Sequence, residues 1–476
     1  MIGDRTAQQT AISPVTSRRR LPPPPSPADL WPRLDERFRA AVRTVGGQAA
    51  GRAFDGVPSS TLAWDPARPL FMDRGHYLEF VRTTSRLAWL VLRSCRRRAG
   101  TAGELLAALD MDPADLPLLD ASAPLGDELL MSVRPDAVYC GGVPKFLELN
   151  IEGAVGGSPH VDVLSKRFMT EYERAGIAAG LCAADPSVQA RFAALSDWLW
   201  HRPGRRLVIP VFPAGTVPGL GEDPARFIAW LAPWCAAGRE NGIDTLAFPL
   251  ADLRSGPGGR LLADGRPVDA VLRLFSCTQQ PPSPGLDAFT GAVLARQVAM
   301  HTPEAAGLLM NKRTLAWLWS DLDLLTEPDR RLVSTHVPRT VCLPSGAGPA
   351  DPLLRQARAR RAGLVLKPGH GGSGAGVVVG PAVSQQAWDN ALDHAAAHGG
   401  YVLQDYAEPD TTPMDFVHRD TGDRCTVDVP FVAGPFVFGG RPAGMLVRHG
   451  GPDGGAVLNA GLGAVITTAL LVHGQG

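Results

Sequence analysis

Two polar motifs, separated by about half the chain, constrain this sequence more than anything else in it. The first is Arg134-x-Asp136 followed by Glu148-x-Asn150, the latter inside the apolar run KFLELNIEG. The second is Lys367-Pro368-Gly369-His370-Gly371-Gly372-Ser373-Gly374-Ala375-Gly376, closing a run that begins LVLKP. Each is expected beside a buried strand. A carboxylate set of the first kind suits a hard divalent cation, and a lysine with a glycine loop suits phosphates.

Residues 129–133 read as one strand and 145–149 as its partner, with Cys140-Gly141-Gly142 near the turn. Arg134 and Asp136 then lie at the end of one strand, and Glu148 and Asn150 on or just past the next. Residues i and i+2 of a strand point the same way, so Glu148 and Asn150 share a face. Mg²⁺ takes oxygen ligands and is usually held by one or two carboxylates plus substrate phosphates. Asp136, Glu148 and the Asn150 carbonyl meet that demand. The competing reading is a sheet edge with solvated acids, and the apolar setting FLELNI weighs against it, because an unpaired carboxylate is costly to bury. The Arg134 fork can hold carboxylate or phosphoryl oxygens bidentately, or pair with Asp136 or Glu148.

The second motif places five glycines among residues 369–376. Glycine adopts φ > 0 readily, so such a loop can turn backbone N–H groups toward an anion. It is not GxxxxGK[ST], and the downstream motifs of a protein kinase are missing. A flexible surface turn is the competing reading. The Lys-Pro that ends an apolar strand favours phosphate binding. Of 47 basic residues only four are lysines, Lys145, Lys166, Lys312 and Lys367. A lysine kept in so arginine-rich a chain is expected where a planar fork would not serve. Lys312 follows Asn311 on a helix expected over 303–319. Gln404-Asp405-Tyr406 follows a strand expected over 401–404, and its backbone amides could meet an adenine; an ordinary strand end is the alternative. Arg273, Arg448 and His370 are further candidate anion contacts.

Residues 1–28 are rich in Pro, Ser and Arg and read as a disordered leader rather than a signal peptide. Helical apolar spacing marks 34–46 and 76–98. From Arg206 the pattern becomes strand–helix–strand, with strands over 207–211, 245–248 and 269–275 and Asp223-Pro224 opening a helix. This predicts an open α/β layer with a parallel sheet. The expected organisation is 29–200 with the metal motif, 201–300 as the α/β layer, and 301–476 with the lysines and glycine loop. Formal net charge is zero, which gives no support to nucleic-acid or anionic-membrane binding. No apolar run reaches the roughly 18 residues of a membrane span. Seven cysteines without Cys-x-x-Cys spacing argue against zinc and a disulfide framework.

The joint set resembles the ATP-grasp superfamily of carboxylate–amine ligases, in particular the circularly permuted branch that includes glutathionylspermidine synthetase. In ordinary members the phosphate lysine and glycine loop precede the Glu-x-Asn metal residues; here the metal motif comes first. The resemblance covers roughly 50–470 and implies an α/β (α+β) ATP-grasp fold. It also implies that Arg134 serves the acyl phosphate and oxyanion, and that Asp136, Glu148 and Asn150 bind Mg²⁺. Lys312, Lys367, Gly371, Gly372, Ser373 and Gly374 would hold ATP phosphates, with Gln404, Asp405 and Tyr406 as the adenine hinge. The segments LVRHGG and LNAGLGAV have family-like settings. No amidase domain precedes the ligase region, and residues 409–430 do not place a substrate pocket, so that enzyme's substrates do not carry over. The implied activity is ATP- and Mg²⁺-dependent amide or peptide bond formation through an acyl phosphate. Small-molecule carboxylate and amine substrates would be joined by a cytoplasmic monomer or homodimer with no nucleic-acid or membrane partner. The alternatives are another ATP-dependent phosphotransferase, or a non-catalytic nucleotide-binding relative acting as a partner module.

Overall fold

A computed structural model describes residues 25–53, 63–153, 156–212, 223–348, 350–372, 374–452 and 464–473. Its organising element is the 15-residue strand Arg424–Phe438. The first half of that strand alternates in exposure and the second half is buried throughout. Its partners explain the change. Over its first half it pairs with Thr411–His418, and over its second half with Arg441–His449 on one edge and Ser132–Cys140 on the other. Ser132–Cys140 in turn pairs with Val143–Ile151, completing one flank of a curled sheet that has nine strands among the described residues. The helix Arg74–Arg96 covers this sheet. Asp73 caps it, accepting from the His76 amide at 3.0 Å. Its buried face of Tyr77, Phe80, Leu87, Leu90 and Val91 packs with Tyr139, Phe146 and Phe431. Each large apolar side chain buried this way stabilises the fold by about 1.5–3 kcal/mol.

A second layer has the expected parallel sheet, in the order Ala299–His301, Ala270–Leu272, Arg206–Val211, Asp244–Pro249. Every residue of Arg206–Val211 is buried, as a parallel strand covered on both faces requires. Asp223 caps the helix Pro224–Trp230, as its sequence implies. A third, antiparallel sheet runs Thr340–Cys342, Tyr401–Asp405, Leu364–Pro368, Val378–Val379. The helix Gln385–His398 packs on it through its own core, including Trp388, Leu392, Leu366 and Leu403.

Three local expectations change. Residues 127–130 form a 3-10 turn, and the strand expected over 129–133 begins at Ser132 and extends to Cys140. The single helix expected over 303–319 is two pieces, Glu304–Met310 and Arg313–Ser320, broken at Asn311. Ser26 caps a helix, Pro27–Arg33, that starts inside the segment expected to lack structure; residues 1–24 lie outside the described residues. Cys95, Cys140, Cys182, Cys235, Cys277 and Cys342 are free thiols. Among the described residues no helix is long and apolar enough to cross a membrane.

Under the curled sheet, Arg68 is almost wholly buried, stacked 3.9 Å from the Trp31 ring centroid with its Nε 3.1 Å from Asp415. Asp415→Ala leaves that guanidinium without its carboxylate. A loss of about 3–5 kcal/mol is expected, read as a lower urea midpoint.

Candidate functional site

The site is built on the hairpin of Ser132–Cys140 and Val143–Ile151. Arg134 stands opposite Asn150 and Asp136 opposite Glu148. Strand alternation therefore puts all four side chains on one face. The register shifts between Asp136 and Ala137, whose partner is Phe146, so Leu147 has no opposite number. Such a bulge frees one residue from the ladder. The Leu147 carbonyl uses that freedom to accept from Lys367 Nζ at 3.3 Å and from Gln404 Nε2 at 3.4 Å.

Arg448, on Arg441–His449, reaches the same face and places Nη2 2.6 Å from Asp136 Oδ2. Arg134 Nη2 is 3.4 Å from Asp136 Oδ1, and its Nη1 donates to the Gly156 carbonyl at 2.6 Å. Burial alone would raise the Asp136 carboxyl, but Arg448 and then Arg134 outweigh it and hold it well below the usual carboxylate range. Gly434 makes room for this packing. A Cβ there would lie 2.2 Å from the Pro135 carbonyl oxygen and 3.1 Å from Arg134 Cγ. Gly434→Ala is expected to cost about 1–3 kcal/mol as the strands separate, measurable by urea unfolding.

The break at Asn311 serves Lys312. Asn311 Oδ1 accepts from the Arg313 amide at 3.0 Å, and the Lys312 amide donates to the Gly369 carbonyl at 2.8 Å. The turn thus joins the glycine loop, and Lys312 Nζ lies 3.1 Å from Glu148 Oε2 and 3.1 Å from the Gly371 carbonyl. The apolar setting of Glu148 is thereby answered with a counter-ion. Lys367 Nζ donates to Gln404 Oε1 at 2.6 Å. Burial lowers its pKa to about 8, against the pull of Glu148.

Asp136, Glu148, Lys312, Lys367 and Arg448 line one end of a cleft of about 430 Å³, whereas Arg134, behind Asp136, and Asn150 do not line it. Its walls are largely apolar, with Val138, Val365, Val379, Tyr406 and Val432 among them. Gly371, Gly372, Gly374, Gln404 and Asp405 also line it. Two sequence expectations need correction. The amides of Asp405 and Tyr406, expected to face a base, already donate to the Arg339 and Gly363 carbonyls at 2.8 Å each. Gln404 serves Lys367 through its side chain instead. Arg448 does join the site. His370 is exposed, and Arg273 binds the Phe275 carbonyl at the end of the parallel sheet, so neither lines the cleft. Ser373 and most of LNAGLGAV lie outside the described residues. Thr340, which receives Gln404 Nε2 at 3.1 Å, escapes sequence reasoning because only strand register reveals it.

Among the described residues four cations, Arg134, Lys312, Lys367 and Arg448, face two carboxylates here, so the site is built to receive anions. The oxygen donors fit Mg²⁺ chemically, being hard ligands from two carboxylates and an amide on one strand face. The buried Asn150 Nδ2 has no partner among the described residues, so internal hydrogen bonding does not account for that side chain.

No known family profile and no curated protein matches the sequence. In three dimensions the chain is similar to a glutathione synthetase like-effector from Globodera pallida. The TM-score is 0.55, with 13% identity over 92% of this chain and 98% of that one. The fold is of the ATP-grasp type. Weaker likenesses are to a putative gamma-glutamylcysteine synthetase from Methylobacillus flagellatus (TM-score 0.41, 14% identity, 71% and 80% covered) and D-alanyl-alanine synthetase A from Vibrio cholerae (0.27, 12%, 56% and 88%). These two are too distant to carry an argument.

Proposed function

We propose that the chain is an ATP- and Mg²⁺-dependent carboxylate–amine ligase whose catalytic frame is the circularly permuted one, metal motif before phosphate lysine. The observation that carries this reading is the apolar cleft at one end of which Asp136 and Glu148 meet Lys312, Lys367 and Arg448, with Arg134 paired to Asp136 behind them. A nucleotide has that same polarity, with an apolar base at one end and a polyanion at the other.

Asp136, Glu148 and Asn150 would hold Mg²⁺, which when bound neutralises charge between the β- and γ-phosphates. Lys312, Lys367 and the amides of Gly371, Gly372 and Gly374 hold the phosphates. The γ-phosphoryl group passes to an oxygen of the substrate carboxylate, and ADP leaves. The amine nitrogen then attacks the acyl carbon, phosphate departs, and the nitrogen gives up a proton. Arg134 and Arg448 stabilise the oxyanion of that second step. The glycine loop excludes water from the acyl phosphate. The substrates are small molecules, and a cytoplasmic monomer or homodimer suffices for this chemistry.

The test is ADP release from purified protein with ATP and Mg²⁺, screened against pools of amino acids, small acids and polyamines. Release that requires both an acid and an amine, with a condensed product by mass spectrometry, is expected. A phosphorylated product that is stable without any amine would make the chain a phosphotransferase, and failure to bind ATP would end the nucleotide reading.

A further inference from the structure

The hydrogen bonds around Lys367 form a directed chain. Trp319 Nε1 donates to the Pro338 carbonyl at 3.1 Å, and the Thr340 hydroxyl donates to the same oxygen at 2.8 Å. The Thr340 proton is thus committed, so its oxygen is left to accept from Gln404 Nε2 at 3.1 Å. A carboxamide with its nitrogen turned to Thr340 must turn its oxygen the other way. That oxygen, Oε1, receives Lys367 Nζ at 2.6 Å. The bulged Leu147 carbonyl accepts from both Lys367 and Gln404, which admits only donors on that side. Thr340 and Gln404 are buried, and their strands place them directly opposite each other.

We infer that Thr340 is a positioning residue that, through Gln404, fixes the Lys367 ammonium at the polar end of the cleft. Gln404 belongs to the phosphate end of the site rather than to the base. Without the Thr340 oxygen only the longer 3.4 Å bond to the Leu147 carbonyl orients the Gln404 amide, and whenever the amide flips it presents its own donors to an ammonium. Lys367 then loses its short acceptor and leaves the place where it meets a phosphate. The hydrogen bonds stand on geometry alone, and the link to phosphate rests on the nucleotide reading.

Two measurements separate those parts. The chain has only four lysines, so ¹⁵N-lysine NMR yields four side-chain ammonium signals at most, and Lys367→Arg identifies the relevant one. Thr340→Val is expected to move that signal, and Thr340→Ser, which restores the hydroxyl, to leave it in place. By calorimetry Thr340→Val is expected to bind ADP about tenfold more weakly, the scale of one hydrogen bond to a charged group. Adenosine, which lacks phosphates, should bind as it does to the wild type. Equal weakening of ADP and adenosine would mean a distorted cleft and overturn the inference, as would an unmoved Lys367 signal. A moved signal in a protein whose wild type binds no ADP would uphold the positioning role and reject the nucleotide reading. Gln404→Met supplies a second variant if Thr340→Val does not fold; it should move the same signal, and an unmoved one would again overturn the inference.

Discussion

Glu148→Ala is expected to lower substrate-stimulated ADP release by about three orders of magnitude while tightening the binding of metal-free ADP. The two effects have opposite signs because Glu148 has two jobs. In the proposed mechanism it would be an oxygen ligand facing the phosphates, and removing one electrostatic contributor of this kind costs about 10²–10³-fold; the loss of a proposed metal ligand takes the expectation to the upper end. In the ligand-free protein it is the counter-ion of Lys312, 3.1 Å away. Lys312 is buried, so removing Glu148 leaves a cation with an unmet demand for negative charge. ADP supplies that charge. The check is coupled ADP-release kinetics beside calorimetry in EDTA. Unchanged turnover would remove Glu148 from the chemistry. Weaker metal-free binding would show that the Lys312–Glu148 pair shapes the phosphate site rather than competing with it.

The second large effect is a pH dependence centred on Lys367. Burial lowers its pKa to about 8 from an ordinary 10.5. A phosphate beside it favours the charged form, so binding takes up a proton once pH exceeds about 8. ADP affinity is therefore expected to be flat below pH 7 and to fall by up to about tenfold per pH unit above 8. Lys367→Arg stays charged and should flatten the profile, at the cost of a poorer fit. Lys367→Met should weaken ADP by about 10²-fold or more at pH 7, where a buried charge contact is lost outright. Stability moves the other way. The folded state disfavours the charged lysine, so between about pH 8 and 10.5 the unfolded chain binds more protons, and this group's contribution to stability rises with pH. ADP titrations across pH 6.5–9.5 decide it, and a flat wild-type profile would take Lys367 off the phosphates.

The residues that carry charge are legible in the sequence because charge inside apolar runs is expensive and conspicuous. Glu148 in FLELNI and Lys367 after LVL stand out on that ground, and strand alternation by itself puts Glu148 and Asn150 on one face. Arg448 is harder, since its strand gives no sign of pairing two strands away from Asp136. Gln404 is misplaced by sequence reasoning because a strand assignment does not say whether the neighbouring amides are already spent; here Arg339 and Gly363 take them. Thr340 is invisible for the same reason. The break at Asn311 is hidden too, because the apolar spacing of 303–319 continues across it. What decides that break is long-range: the Lys312 amide bonds to Gly369.

The unpaired Leu147 divides the hairpin into two phases. On the side toward Gly141 and Gly142, a residue added at the turn only lengthens the loop. On the side toward Ile151, a single insertion or deletion would rotate the alternation by half a period and send Glu148 and Asn150 to the opposite face of the sheet. Natural variation in the length of this hairpin should therefore be tolerated at its tip and forbidden at its base, so that the bulge marks where the chain stops being free to drift.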